Sequence, residues 1–400
     1  MKHSDTTKKK KKVNTKIRKF YKILALVFAV FFLGGFLLHV ILPDKEQSAK
    51  EKRMLSRFPA ITAGSVFSGH FGDAFEKYAS DQMPFRDLFV SLKAFSDSLI
   101  GKNESQGVYR GANGFLLEKM DEAEEEKLGE TIQAMKAFSE GYASNFAFVL
   151  VPNAISIYAD KLPAFAPTAS QSDFSASVAG QLAGSNIQLL DLTDTLKAAK
   201  DSVDPLYYRT DHHWTTQAAY SCLPQVRSVL GVDGAENWTP MLVSDSFVGS
   251  LVSKSGFSTR KTDAIYVYKP EQPVNYLVSG SSREGKSATL YSEEGLQSGD
   301  PYTVFLGGND GMLHIETDQA GKGSLLVFKD SYFNCFLPFL LSSYKTIDVV
   351  DPRYFCDDLQ SLLYQNQYSN VLFFYNMNTF SQDTSLSLVL GELAAGEVTE

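Results

Sequence analysis

Residues 324–333 read Ser324-Leu325-Leu326-Val327-Phe328-Lys329-Asp330-Ser331-Tyr332-Phe333. Leu325 to Phe328 are continuously apolar, the mark of a strand buried on both faces of a sheet. The polar break that follows predicts a strand end, and the apolar run from Tyr332 onward predicts a helix. Ligands of open α/β sheets sit beyond the carboxyl ends of the strands. A serine at such a turn has its hydroxyl exposed at the sheet top. The amides of the next helix start then face whatever it attacks, which is an oxyanion hole in outline. Ser331 is therefore the candidate nucleophile. A plain helix-capping serine is the alternative that the local sequence allows.

Working outward, 146–152 is a second continuous apolar run, and 186–192, 345–350 and 370–375 are further strand candidates. Helical patterns separate them at 121–143, at 218–230 with Thr215 or Thr216 as cap, and at 357–365. Strands alternating with helices imply an α/β domain with a mainly parallel sheet. Residues 240–320 are rich in Ser, Gly, Tyr and Val and read as a β-rich insertion. Upstream, apolar spacing from Gly69 to Leu99 predicts two helices with a bend near Pro84. Val108-Tyr109 and Gly114-Phe115-Leu116-Leu117 predict a hairpin.

The stretch Tyr208-Arg209-Thr210-Asp211-His212-His213-Trp214-Thr215 concentrates titratable chemistry. On an extended loop, Asp211 and His213 point the same way, because strand-like backbone alternates with period two. The carboxylate can then fix the imidazole tautomer and raise its basicity. That is the base-and-orienter half of a nucleophilic triad. The same residues also read as metal ligands, with His314 as a third histidine. Adjacent residues seldom converge on one ion, and catalytic zinc takes ligands from spaced positions, so no metal is expected.

Charge divides the chain. Residues 1–22 carry ten Lys/Arg and one acid, a net of +9, whereas the whole chain is −8. An acidic body argues against nucleic acid as partner. Residues 23–42 form an apolar run of bilayer-spanning length, longer than a signal-peptide core and without a clear cleavage site. An uncleaved anchor is expected, with the basic tail 1–22 cytoplasmic and the rest extracytoplasmic. After the span come a stalk and helical region over 43–140, then the α/β domain over 141–390. Cys222, Cys335 and Cys356 cannot all pair. Either Cys335 bridges Cys356, or all three are free thiols.

The Asp-His-His-Trp element, followed far downstream by Lys329-Asp330-Ser331-Tyr332, resembles the DHHW family, relatives of the AlgJ/AlgX-type alginate O-acetylation proteins. Val151-Pro152-Asn153 through Leu162-Pro163, Asp81-Gln82-Met83-Pro84-Phe85-Arg86-Asp87 and Gly249-Ser250-Leu251 agree with it. The resemblance covers roughly residues 50–385 and implies an SGNH-hydrolase-like, flavodoxin-like three-layer domain. It implies Asp211 as orienting acid, His213 as general base and Ser331 as nucleophile, with no cofactor. It places Trp214 and Tyr332 against sugar and gives Asn153 to an oxyanion. The implied activity is O-acetylation of a cell-surface or exported polysaccharide, with a membrane-bound O-acyltransferase partner supplying acetyl. A carbohydrate esterase with the same triad and a non-catalytic glycan-binding protein remain alternatives.

Overall fold

The computed structural model describes residues 15–48 and 53–395. The chain forms two compact units, Met1–Val90 and Ser91–Glu400. In the first, a single helix Thr15–Ile41 leaves its apolar side chains exposed. Its 27 residues rise about 40 Å, enough to cross a hydrocarbon core of about 30 Å. Further on, a helix His70–Asp81 carries Phe71, Phe75 and Tyr78 against Phe58. The predicted break near Pro84 is present: the next helix is Arg86–Leu99, and Phe85 between the two has φ 59°.

The second unit is built on a seven-stranded sheet. Its strands are β1 (Asn145–Val151), β2 (Ile187–Asp191), β3 (Tyr276–Gly280), β4 (Met312–Thr317), β5 (Ser324–Lys329), β6 (Thr346–Val350) and β7 (Asn370–Asn376). Their order across the sheet is β3-β4-β6-β5-β7-β1-β2. β6, β5, β7, β1 and β2 run parallel, while β4 is antiparallel to both neighbours.

Alternation decides which side chains face which layer. Ala147, Val149 and Val151 of β1, Leu325 and Val327 of β5, and Leu372 and Phe374 of β7 enter one core. Phe146, Phe148 and Leu150, Leu326 and Phe328, and Val371 and Phe373 enter the other. Helices Glu125–Gly141, Gln171–Leu182 and Ser385–Ala395 cover the second face. Helices Thr216–Ser221 and Leu223–Leu230 contribute to covering the first. The three-layer α/β expectation is met.

Three expectations need correction. Residues 240–320 are not one insertion. Trp238–Phe247 and Asp263–Pro270 form a separate antiparallel ribbon, but β3 and β4 complete the edge of the main sheet. Local alternation signals a strand without naming its partner. The helix expected from Tyr332 is instead two 3₁₀ turns, Ser331–Cys335 and Leu337–Leu340. Pro338, which has no amide hydrogen, interrupts the run. The helix expected over 218–230 is divided at Cys222. As for the thiols, all three cysteines are free, and only Cys356 is exposed. Burial pushes Cys222 and Cys335 up to about 12, so both stay protonated.

One charged pair lies inside the sheet. His314 on β4 sits opposite Asp348 on β6, with Nδ1 2.6 Å from the carboxylate. The hydrogen bond to Asp348 raises the His314 pKa above its ordinary 6.5. A histidine raised by folding contributes stability that is fully present below 6.5 and is lost as pH rises through its folded value. Melting temperature should therefore decline between pH 6 and pH 8, and His314→Gln should flatten that slope. Parallel curves for the two proteins would show that the pair makes no such contribution.

Candidate active site

The site is assembled at the carboxyl edge of β5, β7 and β1. Asp330, immediately after β5, is fully buried and accepts from both the amide and the side-chain nitrogen of Asn376 at the end of β7, at 2.8 and 2.6 Å. Its other oxygen accepts from the Tyr332 amide at 2.9 Å. Asn376 in turn accepts from Asn153, just beyond β1, at 3.0 Å. This buried amide and carboxylate network ties three strand ends together and sets the turn that holds Ser331.

The same bonds bear on the oxyanion donors expected. The Tyr332 amide is taken by Asp330, so it is no free donor to an oxyanion. Asn153 also falls away from that role. Its amide nitrogen serves Asn376 and the Tyr332 hydroxyl, and its oxygen accepts from Gln171 and the Asn378 amide. It is a fastener between strand ends.

Facing Ser331 is the loop of Tyr207 to Thr215. Tyr207 and Trp214 pair as an isolated antiparallel bridge, and the Tyr208 amide bonds to the His213 carbonyl at 3.2 Å. The tip is therefore a tight turn, not the extended backbone expected. Asp211 folds over it: Oδ1 accepts from the His213 amide at 3.0 Å, a local Asx turn. The same oxygen lies 2.6 Å from His213 Nδ1. The two-residue spacing thus brings carboxylate and imidazole together through a turn.

Oδ2 of Asp211 accepts from the amide and the hydroxyl of Ser250, at 2.7 and 2.8 Å. Two backbone amides and the Ser250 hydroxyl donate to Asp211, so it is held as the carboxylate. It accepts, so His213 Nδ1 carries the hydrogen and Nε2 presents a lone pair. Ser331 Oγ lies 2.8 Å from that Nε2. The arrangement is a continuous relay from carboxylate to imidazole to serine hydroxyl, spanning 118 residues of sequence between His213 and Ser331.

Electrostatics favour the neutral imidazole. Burial pushes His213 down to about 4, aided by His212 and opposed by Asp211. At neutral pH it is the form that can accept a proton. Tyr302 stacks on its other side at 3.8 Å and 10°, and donates to the Ser331 carbonyl at 3.3 Å. Burial keeps Tyr302 a neutral phenol.

Tyr302 and Ser250 are the residues that sequence reasoning missed as parts of the site. Both lie in the 240–320 segment. Gly249-Ser250-Leu251 carried a signal as a motif, whereas nothing local marks Tyr302. Gly249 precedes Ser250 because a Cβ there would lie 2.2 Å from that of Asp211.

Trp214 is corrected from sugar platform to core. It is fully buried, it stacks on Tyr332 and Phe336, and its indole donates to the Tyr332 carbonyl at 2.9 Å. Tyr332 is equally buried, and its hydroxyl donates to the His212 carbonyl. Together they clamp the histidine loop onto the serine turn. Asp211, His212 and His213 do place candidate ligand atoms within 4.8 Å of one another. The Asp211 oxygens are already occupied by four donors, and His212 Nδ1 lies 2.8 Å from the Ser250 hydroxyl. The cluster is therefore committed to internal hydrogen bonds.

With fold and geometry in view, the chain is defined by class as one carrying an SGNH-hydrolase-like α/β domain. Residues 110–236 match the family model of the SGNH hydrolase-like domain of acetyltransferase AlgX. Among solved structures, a DHHW family protein from Eubacterium siraeum superposes with a TM-score of 0.60 at 22% identity, covering 71% of this chain and 95% of that one. Bacillus cereus PatB1, solved with a sulfonyl adduct, superposes with a TM-score of 0.59 at 18% identity, covering 70% and 97%. The O-acetyltransferase domain of Pseudomonas putida AlgJ follows at 0.46 and 14%, covering 72% and 99%. No curated protein matches the chain in sequence. The resemblance read from the Asp-His-His-Trp element is borne out, and at these identities the structural likeness concerns the fold.

The Ser250 hydroxyl touches no reacting atom but holds Asp211. A hydrogen bond to a charged group is worth about 1.5–3 kcal/mol. Ser250→Ala should thus lower kcat for ester hydrolysis by roughly 10-fold or more, with little change in KM. A loss carried by KM alone would show that Ser250 does not act through Asp211.

Proposed function

We propose that this chain is a membrane-anchored, extracytoplasmic O-acetyltransferase of a cell-surface or exported polysaccharide. The observation that carries the reading is the unbroken Asp211–His213–Ser331 relay at the carboxyl edge of the sheet. The match to the AlgX acetyltransferase domain model supports acyl transfer as its chemistry. Asp211 serves as orienter, His213 as general base and Ser331 as nucleophile.

The reading implies the following steps. Ser331 Oγ attacks the carbonyl carbon of an acetyl donor while His213 Nε2 takes its proton. The imidazolium formed beside Asp211 is stabilised by the carboxylate at 2.6 Å. Collapse of the tetrahedral intermediate expels the donor's leaving oxygen, which receives the proton from His213. An acetyl-serine remains. A sugar hydroxyl then gives its proton to His213 and attacks the ester, and Ser331 leaves as its hydroxyl with that proton.

The apolar helix Thr15–Ile41 supports anchoring, and the basic residues before it support a cytoplasmic N-terminus. On that topology the relay and the sugar chain share the outer side. Acetyl groups then have to arrive across the bilayer, the task of a membrane-embedded acyltransferase partner.

Ser331→Ala should abolish hydrolysis of nitrophenyl acetate while leaving the melting temperature in place; full residual activity would falsify the relay. With an acetyl donor and oligosaccharides present, acetylated sugar should exceed free acetate. Acetate alone would make the chain an esterase, since only the exclusion of water from the acetyl-serine separates the two.

The direction of the His213 shift sets the pH profile. A base lowered from 6.5 toward 4 stays neutral, and active, on the acid side of ordinary histidine titration. The acid limb of kcat/KM for hydrolysis should bend below pH 6.5. A bend at or above 6.5 would mean that Asp211 outweighs burial.

A further inference from the structure

A polar cleft of about 420 Å³ opens within the loop between β3 and β4. β3 runs antiparallel to β4, and β4 antiparallel to β6, which is parallel to β5. β3 therefore points the same way as β5. The loop from Gly280 to Met312 leaves and re-enters the sheet at the edge that bears Ser331. The same loop delivers Tyr302 onto His213.

The cleft wall is firmly built. Asp310 is buried and accepts from the Ser281 hydroxyl at 2.7 Å and the Ser282 amide at 3.2 Å. Arg283 Nε faces its carboxylate at 3.6 Å. Leu306, Gly307 and Gly308 are successively left-handed, with φ of 62°, 70° and 112°. A buried leucine in that region is strained, and such strain gathers at functional sites.

A second observation joins the cleft to the serine. Asn334 follows Ser331 by three residues in a 3₁₀ turn, where positions i and i+3 eclipse. Its side chain therefore shares the Ser331 face. Its amide nitrogen donates to Asn309 on the cleft wall at 3.3 Å. Asn334 is 3% exposed, and its side-chain oxygen has no partner among the described residues. A buried acceptor left unmade costs about 1–3 kcal/mol. Asn334 itself lies behind the lining, and it reaches the cleft wall only through Asn309.

The lining also selects by charge. Glu284, Glu294 and Asp310 stand against Arg283, which already faces Asp310. A polyuronate would bring further negative charge to that wall. Neutral hydroxyls and protonated amines match it.

We propose that this cleft is the acceptor subsite, and that it takes neutral or amino-sugar chains in preference to polyuronates. The inference rests on the acyl-transfer reading and names its substrate class. It is tested by calorimetric titration of the full chain in detergent with cellotetraose, chitosan tetrasaccharide and tetragalacturonate. At least one of the first two should bind 10-fold or more tightly than the uronate. The double variant Glu294→Gln/Asn309→Ala, altered at exposed positions, should weaken that binding at least 10-fold with its melting temperature kept. Binding of none of the three, equal or tighter binding of the uronate, or an unaltered affinity in the double variant would overturn it. Hydrolysis of nitrophenyl acetate by Ser331 involves no saccharide, so failure here leaves the parent reading to its own test.

Discussion

The Asp211 carboxylate accepts four hydrogen bonds in a place shielded from water. A buried charge is tolerated only when it is fully met by donors, because desolvation otherwise costs several kcal/mol. Two donors come from its own turn and two from Ser250, 39 residues away. The requirement to satisfy one charge therefore pins the ribbon segment to the histidine loop. The loop is fixed further by Asp263, which accepts from the amides of Arg209 and Thr210. Orientation of the imidazole follows from these constraints, and with it the proton-accepting lone pair aimed at Ser331.

The serine side is held by a different device. Three strand ends meet at Asp330, Asn376 and Asn153, whose polar atoms satisfy one another out of water. Beside it, Lys329 pairs with Asp351 at 2.9 Å, and Arg353 bonds both oxygens of that carboxylate. Polar groups concentrate where the hydrophobic sheet stops. They convert the sheet's parallel register into a fixed position for one hydroxyl. Trp214 and Tyr332 close the gap between the two halves as packed aromatic rings, which explains why neither is available to a sugar.

Legibility followed range. Runs such as 146–151 and 325–328 announced buried strands, because continuous apolarity has no other stable place than the middle of a covered sheet. Asp211, His213 and Ser331 were readable because their residue types and strand-end position suggested what each would need from a partner. Tyr302 was not: its value is a ring stacked on His213, and nothing in its own neighbours encodes that. β3 and β4 fell within a segment read only as a β-rich insertion, since alternation reports a half-buried ribbon without reporting which edge it joins. The helix expected after Ser331 failed because full burial and Pro338 favoured 3₁₀ turns over an amphipathic helix.

The sequence by itself determined the apolar span, the α/β class and the chemical kind of each relay member, because these depend on composition and on periods of two or 3.6 residues. Only the tertiary structure decided what those members do to one another. It joined His213 to Ser331 across 118 positions, turned Trp214 inward, and spent the Asn153 amide on holding strand ends. It also tied Asn334, three residues after Ser331, to Asn309 on the wall of a polar cleft. Hydrogen bonds and ring contacts act over a few ångströms in space, and no local pattern records which distant residue will arrive within that reach.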